Sequence, residues 1–110
     1  MAFNIVLTSG FRKELKRIAK KHRSILKDVS VLVEQLSNDP TMGKELGQNV
    51  YKIRLALSGT QKGKSGGARV ITFVKVVGET VILSEIYLKS EFDTVDINLV
   101  IDRLLDEGFI

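Results

Sequence analysis

Two apolar, β-branched runs separated by a short turn are the feature that most limits what this chain can fold into. The runs read ARVITFVKV and TVILSEIYLK, and Gly78 and Glu79 stand between them. A glycine at the first central position of a two-residue turn is typical of β-hairpins whose strands twist normally. The sequence therefore predicts a central antiparallel hairpin against which the rest of the chain must pack.

Apolar residues at helical and strand spacing predict the other elements. Residues 3–8 suit a first strand, and VYKIRLAL alternates as a half-buried strand after the loop TMGKELGQN. Two helices are expected in between, the first capped by Ser9 and the second ended before Pro40, and a last helix is expected to begin at Asp93 or Thr94 and stop at Gly108. Their apolar stripes are Phe11, Leu15, Ile18 and Ala19; Ile25, Val29, Leu32, Val33 and Leu36; and Ile97, Ile101, Leu104 and Leu105.

The order of these elements is β-α-α-β-β-β-α. Runs of helices and of strands favour the α+β class, here a mainly antiparallel four-stranded sheet with the helices packed on one face. A length of 110 residues predicts that residues 1–110 form a single domain.

Charge is divided unevenly along the chain. Residues 1–75 contain 15 Lys and Arg against 5 Asp and Glu, a net charge of +10, whereas residues 76–110 contain 2 against 8, a net charge of −6. This asymmetry predicts a basic surface for a polyanion, with a pair of solvated helix faces as the alternative. No cysteine and one histidine exclude a disulfide framework and a thiolate or histidine-rich metal site. Without an apolar run that could span a bilayer or act as a signal, we expect a cytoplasmic protein that does not enter a membrane.

Strand alternation predicts that one sheet face collects cationic and aromatic side chains. Tyr87 and Lys89 share the parity of Glu85 and lie opposite Ile82, unless a β-bulge shifts the register. The residues expected on this face are Lys52, Arg54, Arg69, Phe73, Tyr87 and Lys89. Such a face suits RNA, since cations bind phosphates and exposed rings stack on bases. The alternative is a rim of amphipathic side chains that only reach water.

Two other features, a glycine-rich motif and a single histidine, indicate a function less strongly. Gly59, Gly63, Lys64 and Ser65 fall one residue short of the nucleotide-binding pattern, and a strand rather than a helix is expected after them. Lys62 and Lys64 are better interpreted as phosphate contacts from a glycine-rich loop. His22, within a cluster of lysines, fits a solvated turn better than a general base.

The run YKIRLALSGTQKGKSGGARVITFVKV and the later ILSEIYLKSE resemble the central signature of toxins of the RelE/ParE superfamily, in particular its HigB-like branch. The resemblance covers residues 51–91, and the element order extends it over nearly the whole chain. It implies a RelE-like fold and a type II toxin that cleaves mRNA on the ribosome, an mRNA interferase, and that forms an oligomer with a cognate antitoxin.

The resemblance also implies site residues. Arg69, Tyr87 and Lys89 are expected to be catalytic, with Arg69 facing the phosphorane, while Arg54, Lys62 and Lys64 are expected to bind RNA. Lys52 and Phe73 are also expected to bind RNA, on the basis of strand alternation rather than of the resemblance. Cleavage by the ribose 2′-hydroxyl requires a base, an acid and cations, and no metal or cofactor is expected.

The C-terminal sequence departs from this pattern. Many active relatives have a histidine or tyrosine base near the C-terminus, but after Arg103 this chain has only LLDEGFI. Either Tyr87 or a lysine then serves as the base, or the chain binds RNA without cutting it. A ParE-like inhibitor of DNA gyrase is a further alternative, since one fold supports different functions.

Overall fold

The structure is a computed structural model that describes residues 2–58, 67–91 and 94–110. The strands are β1 (Asn4–Leu7), β2 (Lys44–Gly47), β3 (Val50–Leu55), β4 (Ala68–Lys75) and β5 (Thr80–Leu88), and the helices are α1 (Ser9–Ala19), α2 (Ser24–Asn38) and α3 (Ile97–Asp106). The strands form one sheet in the order β1-β5-β4-β3-β2. Among the strands of the described residues, β1 pairs with β5 in parallel and the other neighbouring strands are antiparallel. The predicted α+β class is confirmed.

The sheet has five strands rather than the four predicted. The additional strand, β2, lies in a segment that the sequence predicted to be a loop, and it pairs with β3 through a two-residue turn. Gln48 and Asn49 form that turn with φ angles of 52° and 65°. Positive φ at both central residues defines the type I′ turn that matches the twist of paired strands. The sheet therefore has an additional edge strand, and the central residues of its turn are not the Asn-Gly or Gly-containing pair that would have indicated a hairpin.

Two apolar cores lie on opposite faces of the sheet, because neighbouring residues of β4 and β5 point in opposite directions. Val70 belongs to the core that α1 and α2 cover, whereas Ile71 belongs to the core that α3 covers. Val81 and Ile82 are divided in the same way. The prediction that all helices pack on one face is wrong for α3, which covers the second face.

A β-bulge in β5 changes which side chains share a face. Ile71 pairs with Glu85 but the next residue of β4, Thr72, pairs with Leu83, so Ser84 is left unmatched. Ile82 and Tyr87 consequently belong to the same core, although their parity in sequence predicted opposite faces.

The ends of the helices and of the central hairpin also differ in detail from the prediction. Thr8, not Ser9, caps α1 by accepting a hydrogen bond from the Phe11 N–H at 3.0 Å. Asp96 caps α3 in place of Asp93 or Thr94, and Asp93 lies outside the described residues. The β4–β5 hairpin has a four-residue loop, residues 76–79, rather than a two-residue turn. No helix within the described residues is long and apolar enough to cross a membrane.

Candidate nucleic-acid interface

Three predicted site residues form a row across the three central strands, near one end of each, which we call the arginine–tyrosine row. Arg54 of β3 lies opposite Arg69 of β4, and Arg69 lies opposite Tyr87 of β5. Directly opposite residues in antiparallel strands have Cβ atoms about 5 Å apart. All three side chains belong to the sheet face that α3 partly covers. The predicted grouping of these residues is thus reproduced by the register.

The arginine–tyrosine row runs from an exposed end to a buried end. Arg54 is exposed, whereas Arg69 and Tyr87 have only 5% and 8% of their surface accessible. The Arg69 guanidinium is held in part by its Nη1, which donates to the Ala68 carbonyl at 3.0 Å. Because arginine remains protonated in proteins, this places a fixed positive charge within the sheet surface. An anion approaching from the Arg54 side would meet two guanidinium groups in succession.

The next row on this face shows where the cationic surface ends. Lys52, half-buried, pairs across Ile71 with Glu85, so a carboxylate lies two residues from Tyr87 along β5. The Glu85 Oε1 accepts a hydrogen bond from Arg103 Nη1 of α3 at 3.0 Å. In the sequence, Glu85 indicated only which face Tyr87 and Lys89 share, and no role was predicted for Arg103. The opposite charges were the signal that could have linked them.

Phe73 is the predicted interface residue that the structure does not support. It lies between Val50 and Ile82 in the third row, on the predicted face. There it is half-buried and packs against the α3 core. Its ring is used in packing, so the prediction of an exposed stacking platform is wrong.

Lys89 and Glu91 follow the end of β5 and have different contacts. Lys89 is exposed, and its backbone N–H donates to the Gly67 carbonyl at 3.0 Å. Glu91 is bound instead by Arg17 of α1, with 2.8 Å between Nη2 and Oε1, and Arg17 also contacts Glu14. This ion pair therefore joins α1 to the end of β5.

The Arg17 contact makes a prediction about the acidity of Glu91. Its hydrogen bonds to the Glu91 carboxylate hold the pKa of that group below its ordinary value. A depressed folded pKa means that the contact is present above the unfolded pKa and is lost as pH falls through the folded pKa. We expect a carbon-detected NMR titration to give Glu91 a midpoint below the ordinary value. Arg17→Gln should move that midpoint upward, whereas Arg12→Gln, on another side of α1, should leave it in place.

The remaining predictions concern the glycine-rich loop and His22. Lys62 and Lys64 lie outside the described residues, as does the rest of the motif from Gly59 to Ser65. His22 is half-buried in the turn between α1 and α2, away from the arginine–tyrosine row, with its backbone N–H donating to the Ile18 carbonyl. In the part of the chain that the structure describes, no three His, Cys, Asp or Glu residues are grouped so as to hold a metal ion.

Comparison with known proteins gives similarity in structure but not in sequence. No family model matches the chain, and no curated protein matches it. A mutant form of the E. coli toxin RelE in the free state is similar, with a TM-score of 0.61 and 16% sequence identity over 97% of this chain and 98% of that chain. The fold is that of RelE.

A second solved structure agrees with this assignment. The toxin–antitoxin complex RelBE2 from Mycobacterium tuberculosis is similar to this chain with a TM-score of 0.57 and 16% identity, over 80% of this chain and 99% of that chain. At this level of identity the likeness establishes the RelE-like fold. The HigB-like branch remains a prediction from sequence.

Proposed function

We propose that this protein is the toxin of a type II toxin–antitoxin pair and acts as a ribosome-dependent mRNA endonuclease, forming one RelE-like domain over residues 1–110. The observation that carries the proposal is the arginine–tyrosine row on a RelE-like sheet. Two adjacent guanidinium groups suit the charge that develops on a phosphate during cleavage, and a tyrosine beside them supplies a group that transfers protons.

The proposed reaction is an internal transesterification. The 2′-oxygen of a ribose attacks the adjacent phosphorus, the bond from phosphorus to the 5′-oxygen breaks, and the products are a 2′,3′-cyclic phosphate and a 5′-hydroxyl. In this mechanism Arg69 stabilises the phosphorane, Tyr87 in its phenolate form accepts the proton of the 2′-hydroxyl, and the Lys89 ammonium donates a proton to the leaving 5′-oxygen. Lys52, Arg54, Lys62 and Lys64 bind the RNA backbone.

The partners in this proposal are the ribosome with its mRNA and a cognate antitoxin. Support for the antitoxin comes from the similar RelBE2 structure, which is a toxin–antitoxin complex. The net charge of +10 in residues 1–75 supports a polyanionic partner.

Induced expression in bacteria, with and without the adjacent gene, tests the function. We expect growth arrest and new transcript 5′ ends inside translated codons, mapped by primer extension, both suppressed by the neighbouring gene. Growth arrest with intact transcripts and inhibited DNA supercoiling would replace the nuclease by a gyrase inhibitor. Salt-sensitive RNA binding with neither arrest nor cleavage would leave a binding protein.

A further inference from the structure

A cleft of about 590 Å³ lies beside the second half of β5. Four consecutive residues of that strand, 84–87, line it. Side chains alternate between the two faces of a strand, so four consecutive residues can border one cleft only if it runs along the strand's edge. The cleft therefore follows the backbone of β5.

This half of β5 has no neighbouring strand on the cleft side. The pairing with β1 ends at Leu83, where the Thr8 N–H donates to the Leu83 carbonyl and the Thr8 hydroxyl donates to the Ser84 carbonyl. On the other side, pairing with β4 continues to Leu88. None of the strands in the described parts of the chain extends beside residues 85–88 on the cleft side.

The alternating direction of the backbone hydrogen bonds along β5 shows which backbone groups face the cleft. The Lys89 N–H donates to the Gly67 carbonyl, toward β4. In an antiparallel ladder the direction alternates, so Glu85 and Tyr87 also direct their backbone groups to β4, whereas Ile86 directs its N–H and C=O outward. An edge of this kind is a template for another extended chain.

Helices form walls on both sides of this edge. The start of α1 contributes Gly10 and Glu14, and α3 contributes Leu99 and Arg103. A Cβ at Gly10 would meet only the Thr8 Oγ1, at 4.0 Å, so the α1 wall has room beside it. Leu99 is 46% exposed and offers an apolar surface on the α3 wall. A strand added here would place alternate side chains against α1 and against α3.

The charge of the cleft defines its occupant. The lining carboxylates are those of Glu14, Glu85, Asp96 and Glu107, against the single cation Arg103. A net negative lining opposes RNA and attracts lysine and arginine. We propose that this cleft docks an extended basic segment of a partner protein, which pairs as a strand with the outward backbone groups of Ile86.

The other exposed edge is less suited to this role. Strand β2 has four residues and presents exposed Lys44 and Glu45, and charged side chains on a short strand discourage pairing with another chain. Tyr87 lines the β5 cleft, so a docked segment would also cover the buried end of the arginine–tyrosine row. If the partner is the antitoxin, which rests on the proposed function, this contact would block the site directly.

The test selects ligands for the purified full-length chain without assuming any activity. A phage library of random peptides of about ten residues is longer than the second half of β5, at about 3.3 Å per residue. We expect enrichment of peptides with lysine or arginine and with apolar residues at alternate positions. Adding a selected peptide should slow hydrogen exchange at the Ile86 amide.

Matched variants locate the binding site. Gly10→Leu should fill the cleft and Glu107→Lys should reverse a wall charge, each weakening the selected peptides by about tenfold or more. Ser9→Leu and Asp102→Lys make the same changes at exposed neighbours outside the cleft and should alter affinity by less than about twofold. Thermal unfolding followed by circular dichroism verifies that each variant folds.

Three results would overturn this inference. They are a selection without enrichment, peptides that bind Gly10→Leu and Glu107→Lys as tightly as the parent chain, or a single-stranded oligouridine that binds the cleft in preference to peptides. Transcript cleavage is measured in separate experiments, so the docking site and the nuclease function can fail independently.

Discussion

Arg69→Gln is expected to lower mRNA cleavage by about a hundredfold or more while leaving the fold intact. Removing one preorganised group that stabilises transition-state charge typically costs about 10²–10³ in rate. Arg69 has Arg54 on one side and Tyr87 on the other, and its burial keeps its charge near the phosphate position rather than in bulk water. The measurement is the intensity of new transcript 5′ ends at a fixed time after induction.

Lys75→Gln is the matched control for this prediction. Lys75 is on β4 with the same strand parity as Arg69, but it is exposed at the far end of the strand. Lys75→Gln removes one positive charge, as Arg69→Gln does, so a general effect of net charge would appear equally in both variants. We expect the control to cleave within about twofold of the parent chain.

Because Arg69 is buried, a change there could also act through stability. Arg69→Lys separates the two causes, since it keeps the charge but loses the planar fork that binds a phosphate through two hydrogen bonds. A folded Arg69→Lys chain with strongly reduced cleavage supports the catalytic role. Full cleavage by folded Arg69→Gln would remove this residue from the mechanism.

The helices and the central hairpin could be predicted because their sequence patterns are strong. Phe11, Ile25 and Leu36 are completely buried, as their helical spacing predicted. Strand β2 was missed because its turn uses Gln48 and Asn49 where a type I′ turn more often contains Asn-Gly. A strand of only four residues is thus hard to predict when its turn lacks a characteristic sequence.

The position of α3 was wrong for a different reason. An apolar stripe shows which side of a helix is buried, but not which face of a sheet it covers. The relevant signal lay in the strands, because Val70 and Ile71, like Val81 and Ile82, are consecutive and all buried. Apolar residues on both faces of a strand indicate that both faces are covered.

The candidate site was predicted in part. Strand parity placed Arg54, Arg69 and Tyr87 together correctly, because the β3–β4 register has no bulge and the β4–β5 register has none between Ala68 and Ile71. Parity gave the wrong face for Ile82, because the bulge at Ser84 reverses the faces. The exposure predicted for Phe73 was also wrong, because its side chain packs against the second core. Both errors depend on tertiary packing, which cannot be inferred from the alternation of residues within one strand.

Leu104→Ala is expected to lower the free energy of unfolding by about 2–5 kcal/mol. Leu104 is completely buried in the α3 core, so truncation leaves a cavity between α3 and the sheet. This is a large part of the roughly 5–15 kcal/mol that stabilises a domain of this size. Urea unfolding followed by circular dichroism measures the loss, and faster amide exchange in α3 would locate it.

Leu105→Ala is the control, and it also distinguishes the structure from the helical pattern in the sequence. The sequence placed both leucines on the buried face, but Leu105 is 53% exposed. Successive residues of a helix are about 100° apart, so only one of two neighbours can point directly into the core. We expect Leu105→Ala to change stability by less than about 0.5 kcal/mol. Equal losses for the two variants, or a larger loss for Leu105→Ala, would mean that α3 is rotated relative to the sheet and that the wall it gives to the β5 cleft is wrongly assigned.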